Sequence, residues 1–430
     1  MSKVIVMSAD ALVSDDLVRL KEMPNYKKYL AGGSEITQVQ SIYPTITYPC
    51  HTTMATGVYP DRHGVDGNLV FSVKEGELPW KWFHESNKAS DIFTAAKKAG
   101  KSTAAVFWPV TGSHPDIDYN IAEYWTQGPD DTLEAAFARA GTTDEVLPIV
   151  TKNRDLIVGH ERQHPWCDNF IVACACDMIR QFQPDLLMIH PANIDGYRHS
   201  YGLFNDHVTV GVEETDRFIG DLFAAMEDAG VAENTNFFLV SDHGQMEIKR
   251  IININAILQE NGLIWLDRNG QIADWKAYCL SGGMSALVYL KDPEDKAAYD
   301  KTYELLKKLR DEGIYGISEV FTTEEAQQKH RLGGPFRFVL ESDGYTSFGD
   351  SPRRPLIKNF DVADYRYGRA THGYLPEKGP QPVLLAKGPD IADGVNIPKG
   401  YLVNEAPTFA RALGIELTDT DGRVVEEILK

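Results

Sequence analysis

Residues 43–51 of the chain read YPTITYPCH, and residues 52–64 continue as TTMATGVYPDRHG. The first segment holds two threonines two positions apart, Thr45 and Thr47, each close to a proline, with a cysteine and a histidine just downstream. Prolines and hydroxyl side chains are common in turns that have no chemical role. A role for either hydroxyl therefore depends on the rest of the chain.

Short apolar runs rich in β-branched residues recur along the chain, each followed by a polar or glycine-containing turn and then a helical pattern. The predicted strands are 3–7, 36–41, 103–107, 185–190, 236–240, 286–290 and 382–386, and the predicted helices are 90–99, 169–181, 208–229 and 295–312. Continuous apolar strands that alternate with helices are typical of a parallel sheet covered on both faces. We therefore expect an α/β fold.

The domain organisation follows from the regularity of this pattern. The strands and helices run through residues 1–430 without a linker or a low-complexity tract, which favours a single domain. Residues from about 255 to 355 are the least regular and predict a small inserted α+β subdomain. Open α/β sheets bind ligands at the carboxyl ends of their strands, so we expect irregular segments to form walls over a site there.

The charge of the chain limits its partners. The 430 residues carry a formal net charge of −19 and are 43% hydrophobic. Binding to a nucleic-acid polymer depends on lysine and arginine neutralising phosphates, so this balance argues against such a partner. A small anionic substrate stays compatible with it if local cations, such as metal ions, receive the anion.

The sequence favours a cytoplasmic protein. The beginning of the chain, MSKVIVMSADAL, has an apolar run too short for the core of a signal peptide. No apolar run approaches the roughly 20 residues of a membrane span, so we expect no membrane association. Five cysteines in so long a chain do not form a disulfide framework, and free thiols suit a reducing compartment.

Acidic and histidine residues stand near the ends of several predicted strands. They are Asp10 after KVIVMSA, Asp195 and His199 in DGYRH, Asp242 and His243 in SDHG, and His372 in THGY. A single aspartate after a strand is usually a cap or a turn former. Six such residues are different, because the carboxyl ends of parallel strands meet at one edge and would gather them in one cleft.

These six side chains suit metal ions. Carboxylate oxygens and imidazole nitrogens are ligands of Zn²⁺, with Mn²⁺ or Fe as alternatives. Six ligands are too many for one tetrahedral ion and fit two ions with open positions. Two ions about 3.5–4 Å apart stabilise both the attacking and the leaving oxygen of a phosphoryl transfer. A threonine hydroxyl, a poor nucleophile near neutral pH, would be activated by such an ion.

Five sequence blocks resemble a known family. They are SAD at 8–10, PTITYPCHTTMATGVYPDRHGVDGN at 44–68, IDGYRH at 194–199, SDHG at 241–244 and THGY at 371–374. In this order they resemble the alkaline phosphatase superfamily and, within it, the nucleotide pyrophosphatase/phosphodiesterase branch. The resemblance implies an alkaline-phosphatase-like core of a mostly parallel sheet with helices on both faces.

The resemblance also implies roles for individual residues. Thr47 would be the nucleophile and a metal ligand, and Thr45 its structural partner. The Asn68 amide would donate to a non-bridging phosphate oxygen. One Zn²⁺ would be held by Asp195, His199 and His372, and a second by Asp10, Asp242, His243 and Thr47.

Aromatic residues near these blocks are candidates for substrate binding. Tyr48 stands where the branch often has phenylalanine, Cys50 where it usually has asparagine, and Trp108 in VFWPV resembles a pocket element of the branch. Tyr124, with the neighbouring Trp125, is a further candidate for the wall. The alternative is that these aromatics only pack within loops.

The implied function is that of a zinc-dependent phosphodiesterase or nucleotide pyrophosphatase that works through a phosphorylated threonine. A phosphonoacetate hydrolase and a phosphomonoesterase remain alternatives, because the same core residues fit all three. A non-catalytic binding protein of this fold would be expected to lack a ligand or the nucleophile, and all seven residues are present. The sequence leaves open the substrate, the metal and the oligomeric state.

Overall fold

The computed structural model describes residues 2–73 and 78–430, and its centre is an eight-stranded sheet. The strands lie in the order Asn396–Ile397, Ser34–Ile36, Leu384–Lys387, Thr235–Val240, Lys3–Ser8, Leu186–Ile189, Thr103–Val106 and Tyr119–Ile121. Leu384–Lys387 is antiparallel to both of its neighbours, and the other strands share one direction. The expected α/β fold with a mostly parallel sheet is confirmed.

Both faces of the sheet are covered by helices. In the Lys3–Ser8 strand, Ile5 and Met7 pack into one core, and Val4 and Val6 into the other. The helices on the first face are Trp166–Phe182 and Asp206–Asp228, and those on the second are Thr47–Thr56, Ile92–Lys98 and Glu405–Leu413. Because side chains on both faces are buried, the strands read as continuous apolar runs.

The remaining helices are shorter or belong to the loops and the insertion. They are Leu17–Leu20, Pro60–His63, Leu133–Arg139, Leu147–Asn153, Asn193–Tyr201, Ile254–Glu260, Lys296–Glu312 and Thr323–His330. The four predicted helices are all present, with ends shifted by at most three residues. In the described part of the chain, no helix combines the length and the apolar character that crossing a membrane requires.

A second sheet of four antiparallel strands lies within the region that the sequence marks as irregular. Its strands, in order, are Ala277–Ser281, Ser285–Leu290, Phe338–Ser342 and Ile317–Thr322. Together with the Lys296–Glu312 helix it encloses its own apolar core. The assignment of residues 255–355 to a separate subdomain stays a prediction.

The described residues also form small sheets and pairs of strands outside the two larger sheets. Arg250–Asn253 lies between Thr346–Gly349 and Ile357–Lys358. The paired strands are Val39–Gln40 with Gly400–Tyr401, Met246–Glu247 with Ala370–Thr371, and Ile264–Leu266 with Ile272–Trp275.

Three predicted strands differ from the structure. The run 36–41 is divided, because the chain leaves the central sheet after Ile36 and pairs with Gly400–Tyr401 from Val39. The run 286–290 belongs to the second sheet and is antiparallel to its neighbours. The run 382–386 becomes the antiparallel strand Leu384–Lys387. An apolar run indicates burial and leaves both the partner and the direction of a strand open.

A buried carboxylate fastens the second sheet to the segment that follows His372. Glu341, in the Phe338–Ser342 strand, accepts hydrogen bonds from the backbone nitrogen of Leu375 at 3.1 Å and from Lys378 Nζ at 2.8 Å. Burial raises the pKa of Glu341 to about 7, although Lys378 acts in the opposite direction. The neutral acid is therefore favoured in the folded protein over part of the physiological pH range.

We expect Glu341→Gln to flatten the dependence of stability on pH. Between about pH 4.5 and about 7 the folded state keeps a proton that the unfolded state has lost, so the free energy of unfolding falls as pH rises through this window. Relative to the wild type, the variant should gain up to about 3 kcal/mol between pH 4.5 and 8, measured by urea denaturation.

The exposed Glu319, in the neighbouring Ile317–Thr322 strand, provides the matched control. Glu319→Gln should leave the pH dependence as it is in the wild type. Equal pH dependence of Glu341→Gln and the wild type would contradict the expectation, and would mean that Lys378 keeps Glu341 ionised.

Candidate functional site

Three segments bring acidic and histidine side chains to the same edge of the central sheet. Asp10 follows the Lys3–Ser8 strand, and Asp242 with His243 follows Thr235–Val240. The two strands are parallel and in register, with Ser8 opposite Val240, so both segments leave the sheet at the same level. The Asn193–Tyr201 helix, which carries Asp195 and His199, follows the neighbouring Leu186–Ile189 strand.

The antiparallel strand brings His372 to this edge. Leu384, at the beginning of its strand, pairs with Val240 at the end of the neighbouring strand. The segment before Leu384 therefore lies beside the carboxyl ends of the parallel strands. A strand in the same direction as its neighbours would have begun at the opposite edge.

Thr45 ties the His372 segment to the loop that carries Thr47. Its hydroxyl donates to the carbonyl oxygen of Tyr374 at 2.9 Å. The Gly373 nitrogen lies 2.9 Å from the Thr45 carbonyl oxygen and 3.0 Å from its hydroxyl oxygen. Thr45 thus has the contacts of a structural residue.

The six predicted ligands lie in two groups. One group is Asp195, His199 and His372, and the other is Asp10, Asp242 and His243; within each group one ligand atom per residue lies within 4.8 Å of the others. These are the two sets that the family resemblance implies. Metal binding by them stays a prediction.

The donor atoms of these groups fit metal ions. Among the described residues, Asp10 Oδ1, Asp242 Oδ2 and His199 Nε2 are buried without a hydrogen-bond partner. His199 Nδ1 donates to the carbonyl oxygen of Ala370 at 2.8 Å, so Nε2 carries the lone pair. Buried polar atoms without a partner are costly, and coordination would satisfy them.

The clustering of carboxylates at the site also favours the binding of cations. Burial raises the pKa of Asp10 well above its usual range, and the nearby carboxylate of Asp195 adds to this effect. Burial and the charge of Asp10 raise the pKa of Asp242 to about 7. The carboxylate of Asp195 lies 3.1 Å from His199 Nε2, so these two atoms are close enough to bind one ion. A divalent ion in each group would neutralise this crowding of carboxylates.

Thr47 lies next to His243 and lines a cleft over the site. It is the first residue of the Thr47–Thr56 helix, and its Oγ1 is 3.3 Å from His243 Nε2. His51 Nδ1 donates to the Thr47 carbonyl oxygen at 2.9 Å, and its Nε2 accepts from the Ser8 hydroxyl. His51 therefore links the backbone of Thr47 to Ser8, the last residue of the Lys3–Ser8 strand.

Asn68 is oriented by the same helix. Its Oδ1 accepts a hydrogen bond from the backbone nitrogen of Tyr48 at 2.9 Å. Because that contact occupies the amide oxygen, the Nδ2 group is the one available to a ligand. Asn68 and Thr47 both line the cleft, so the placement suits the predicted donor.

The cleft over Thr47 has a volume of about 1080 Å³ and one aromatic side. We call Trp80, Trp125 and Tyr365 the aromatic wall. The ring centroids of Trp80 and Trp125 are 5.4 Å apart with the planes nearly perpendicular, and Tyr365 lies 5.4 Å from Trp80. The wall thus faces a space that is also lined by Asp10, Asp195, His199 and His372.

The three predicted substrate-binding aromatics lie elsewhere. Tyr48 is fully buried and packs edge-on against Trp80, Trp108 packs edge-on against His51, and Tyr124 packs against Trp82. None of these three contributes to the lining described for the cleft. Each points into the supporting layer behind the site, so their placement does not support direct contact with substrate.

Cys50, the other departure beside Thr47, is also buried. Its Sγ lies 3.3 Å from the Ser41 hydroxyl, which donates to the carbonyl oxygen of Asp242 at 2.6 Å. Burial raises the pKa of the Cys50 thiol well above its usual value. Cys50 therefore packs beneath the site.

Sequence reasoning missed four residues at the site. His190 lies 2.9 Å from Asp10 Oδ2 through Nε2 and 3.8 Å from Glu123 Oε2 through Nδ1. His190 follows the Leu186–Ile189 strand, so the rule that identified Asp10 could have found it. Glu123, Trp80 and Tyr365 lie outside the longer helices and strands, where no periodic pattern marks them.

A third group of potential ligands has a different character. In His84, Asp91 and His114, one ligand atom per residue lies within 4.8 Å of the others. His114 Nδ1 accepts the backbone N–H of Asp116, so Nε2 carries the proton and donates to Asp91 Oδ2 at 2.9 Å. A metal ion would need Nε2 as a lone-pair donor. The group is therefore satisfied by hydrogen bonds.

Comparisons with known proteins identify the family of this chain. The family model for type I phosphodiesterase / nucleotide pyrophosphatase matches residues 4–374. An ectonucleotide pyrophosphatase/phosphodiesterase of Caenorhabditis elegans is 24% identical over 99% of this chain and 49% of its own length. A bis(5′-adenosyl)-triphosphatase of Xenopus laevis is 24% identical over 62% of this chain and 53% of its own length. The chain thus spans about half the length of these curated relatives.

Solved structures show the same fold. Human ectonucleotide pyrophosphatase/phosphodiesterase 5 has a TM-score of 0.70 and 17% identity, with both chains fully covered. An inactive threonine-to-alanine variant of the murine protein, in complex with AMP, has a TM-score of 0.69 at the same identity. Because the family model covers most of the chain, this protein belongs to the type I phosphodiesterase/nucleotide pyrophosphatase family.

Proposed function

We propose that this protein is a two-metal hydrolase that cleaves a phosphodiester or phosphoanhydride through a phosphorylated Thr47. The observation that carries the proposal is the position of Thr47, with its hydroxyl 3.3 Å from His243 Nε2 and both groups of metal-ligand candidates at the same sheet edge. Zn²⁺ suits the mixture of carboxylate and imidazole donors best.

Each residue of the site has its own role in the proposed reaction. Asp195, His199 and His372 would hold one ion, and Asp10, Asp242 and His243 the other. When bound, two such ions supply Lewis-acid stabilisation of the charge on the attacking and leaving oxygens. Thr47 Oγ1 loses its proton to solvent and forms a bond to phosphorus, while the bond to the leaving oxygen breaks and that oxygen departs with the electron pair. Asn68 Nδ2 donates to a non-bridging oxygen.

Water then completes the cycle by hydrolysing the ester bond between phosphorus and Thr47 Oγ1, which restores the threonine hydroxyl. Each step is a displacement at phosphorus, so two steps lead to overall retention of configuration. His51 contributes by holding the Thr47 carbonyl, which keeps the hydroxyl at one position through both steps.

A nucleotide is the substrate class that the cleft supports best. A volume of about 1080 Å³ is far more than a phosphate group or phosphonoacetate fills, and the aromatic wall offers rings for a nucleobase. The AMP complex of the murine structure and the bis(5′-adenosyl)-triphosphatase relative support the same class. A phosphonoacetate hydrolase or a phosphomonoesterase would need much less of this space.

The substrate class is tested by a panel of p-nitrophenyl thymidine monophosphate, p-nitrophenyl phosphate and phosphonoacetate on the zinc-loaded enzyme. We expect the diester to have the highest kcat/KM. A clear preference for phosphonoacetate would replace the proposal with a carbon–phosphorus hydrolase, and a preference for p-nitrophenyl phosphate with a monoesterase.

We expect Thr47→Ala to lower kcat by about 1,000-fold or more, because removal of a nucleophile abolishes the covalent route. Acid quenching during turnover should give wild-type protein with a phosphorylated peptide containing Thr47, detected by mass spectrometry, and no such peptide in the variant. Thr45→Ala is the control: it removes hydrogen bonds to Gly373 and Tyr374 and should keep the phosphorylated peptide. Normal turnover in Thr47→Ala would refute the assignment.

We expect Asp195→Asn and Asp242→Asn each to reduce bound zinc from two ions per chain toward one, because each change removes a carboxylate from a different group. Elemental analysis after dialysis measures the ratio. Asp91→Asn, in the third group, should leave two ions. Loss of an ion from Asp91→Asn would contradict the hydrogen-bonded assignment of that group.

We expect Trp125→Ala to lower kcat/KM for p-nitrophenyl thymidine monophosphate by about 10-fold, since stacking on an aromatic side chain contributes about 1–3 kcal/mol per base. Methyl p-nitrophenyl phosphate has no base and should be affected much less. Trp265→Ala, at an exposed position of the Ile264–Leu266 strand, is the matched control. An equal loss on both substrates would exclude base recognition by Trp125.

A further inference from the structure

Tyr365 is the one member of the aromatic wall that also contacts the metal-ligand candidates. Its ring is nearly parallel to that of His372, with centroids 5.8 Å apart, and edge-on to His199 at 5.9 Å. It borders the same cleft as Thr47 and Asn68. No role follows for it from the sequence blocks, since it lies six residues before THGY, in the short 3₁₀ helix Tyr365–Tyr367.

The backbone of Tyr365 is held firmly. The Thr371 hydroxyl donates to its carbonyl oxygen at 2.9 Å. On either side of it, Arg366 Nη2 forms an ion pair with Asp364 at 2.8 Å, and a second ion pair joins Arg366 to Asp350. These contacts fix the backbone of Tyr365 and so limit how far its ring can move away from the cleft. A preorganised contact requires such a fixed position.

The segment after Tyr365 is also pressed against the helix that carries His199. Arg369 donates from its backbone nitrogen to the His199 carbonyl oxygen at 2.7 Å. At Gly368 a Cβ atom would lie 2.4 Å from that same oxygen, so only glycine allows this approach. The position of Tyr365 is thus coupled to the position of one metal-ligand candidate.

Tyr365 and Asn68 line the same cleft, and the Asn68 side chain lies close enough to the phenol to act on its pKa. Since Asn68 Oδ1 accepts from the Tyr48 backbone nitrogen, the group that Asn68 can turn toward the phenol is Nδ2–H, a donor that does not compete for the phenolic proton. The phenolic proton then remains available to an acceptor in the cleft. A phenol has a pKa of about 10 in water and so carries its proton at neutral pH.

We propose that Tyr365 is a second hydrogen-bond donor to the phosphoryl group, beside Asn68, and contacts a non-bridging oxygen of the group transferred to Thr47. The inference rests on the proposed function, because it assumes that phosphorus is bound at Thr47. A neutral phenol and a neutral amide add donors without adding charge. In a site already rich in carboxylates, such donors favour the added charge of the transition state without binding the free substrate much more tightly.

Tyr365→Phe tests the inference because it removes one hydroxyl and keeps the ring against His372 and His199. We expect kcat/KM for p-nitrophenyl thymidine monophosphate to fall by about 10- to 100-fold, as for other donors to a charged oxygen. The loss should be the same for leaving groups of different acidity, because a non-bridging oxygen stays with Thr47. Tyr201→Phe, an exposed tyrosine stacked on His207, is the matched control and should change nothing.

Two binding measurements separate this role from a structural one. Zinc content should stay at two ions per chain in Tyr365→Phe, and the affinity of the zinc-loaded protein for orthovanadate should fall about 10-fold, measured by calorimetry. Full activity together with unchanged vanadate affinity would refute the inference. Loss of zinc would also refute it, because Tyr365 would then act through His199 and His372.

The vanadate measurement also separates this inference from the proposed function. If the wild type cleaves none of the diesters but its vanadate affinity depends on the Tyr365 hydroxyl, the substrate assignment fails and the phenol contact stands. If the diester is cleaved and Tyr365→Phe behaves as the wild type, the proposed function stands and the phenol contact fails.

Discussion

The mutual repulsion of two buried carboxylates and a third, partly buried one beside them is the constraint on which the rest of the site depends. Asp10, Asp195 and Asp242 share one sheet edge, and burial together with neighbouring charge raises the pKa of both Asp10 and Asp242. Without counter-charges such an arrangement costs free energy of folding, because ionised groups in a low-dielectric interior repel strongly. The fold supports it with histidines, backbone N–H groups such as that of Ala11, and the donor geometry of two cation sites.

The direction of one strand explains why the site is complete. Parallel strands alone bring Asp10, Asp195, His199, Asp242 and His243 to the edge, and these come from three consecutive positions in the sheet. His372 is supplied by the segment before the antiparallel Leu384–Lys387 strand, which Thr45 fastens to the Thr47 loop. The second sheet reinforces this arrangement through Glu341, which binds Leu375 and Lys378 just beyond His372.

The sequence predicts the metal-ligand candidates but few of the other residues that line the cleft. Asp10 and Asp242 could be recognised because each follows a continuous apolar strand, and the family blocks supplied the pairing of ligands. The direction of Leu384–Lys387 could not be read, because apolar runs look alike in both directions. Tyr48, Trp108 and Tyr124 were reasonable candidates by their position near the blocks, but an aromatic side chain beside an active-site loop can point inward as easily as outward. Trp80 and Tyr365 come from segments without a periodic pattern, where tertiary packing alone decides what faces the cleft.

The metal-ligand candidates and most of the aromatic wall lie in different kinds of segment. The metal-ligand candidates lie on or next to elements of the central core, where a change would disturb packing on both faces of the sheet. Trp80 and Trp125 lie in loops, so substitutions there can alter the cleft while Asp10 or His243 keeps its position. Tyr365 is the exception, because its ring packs on His372 and His199 while its hydroxyl lies beside Asn68. A change at Tyr365 that removes the ring would alter both the wall and the packing of His372 and His199, whereas loss of the hydroxyl alone would alter only the proposed contact with substrate.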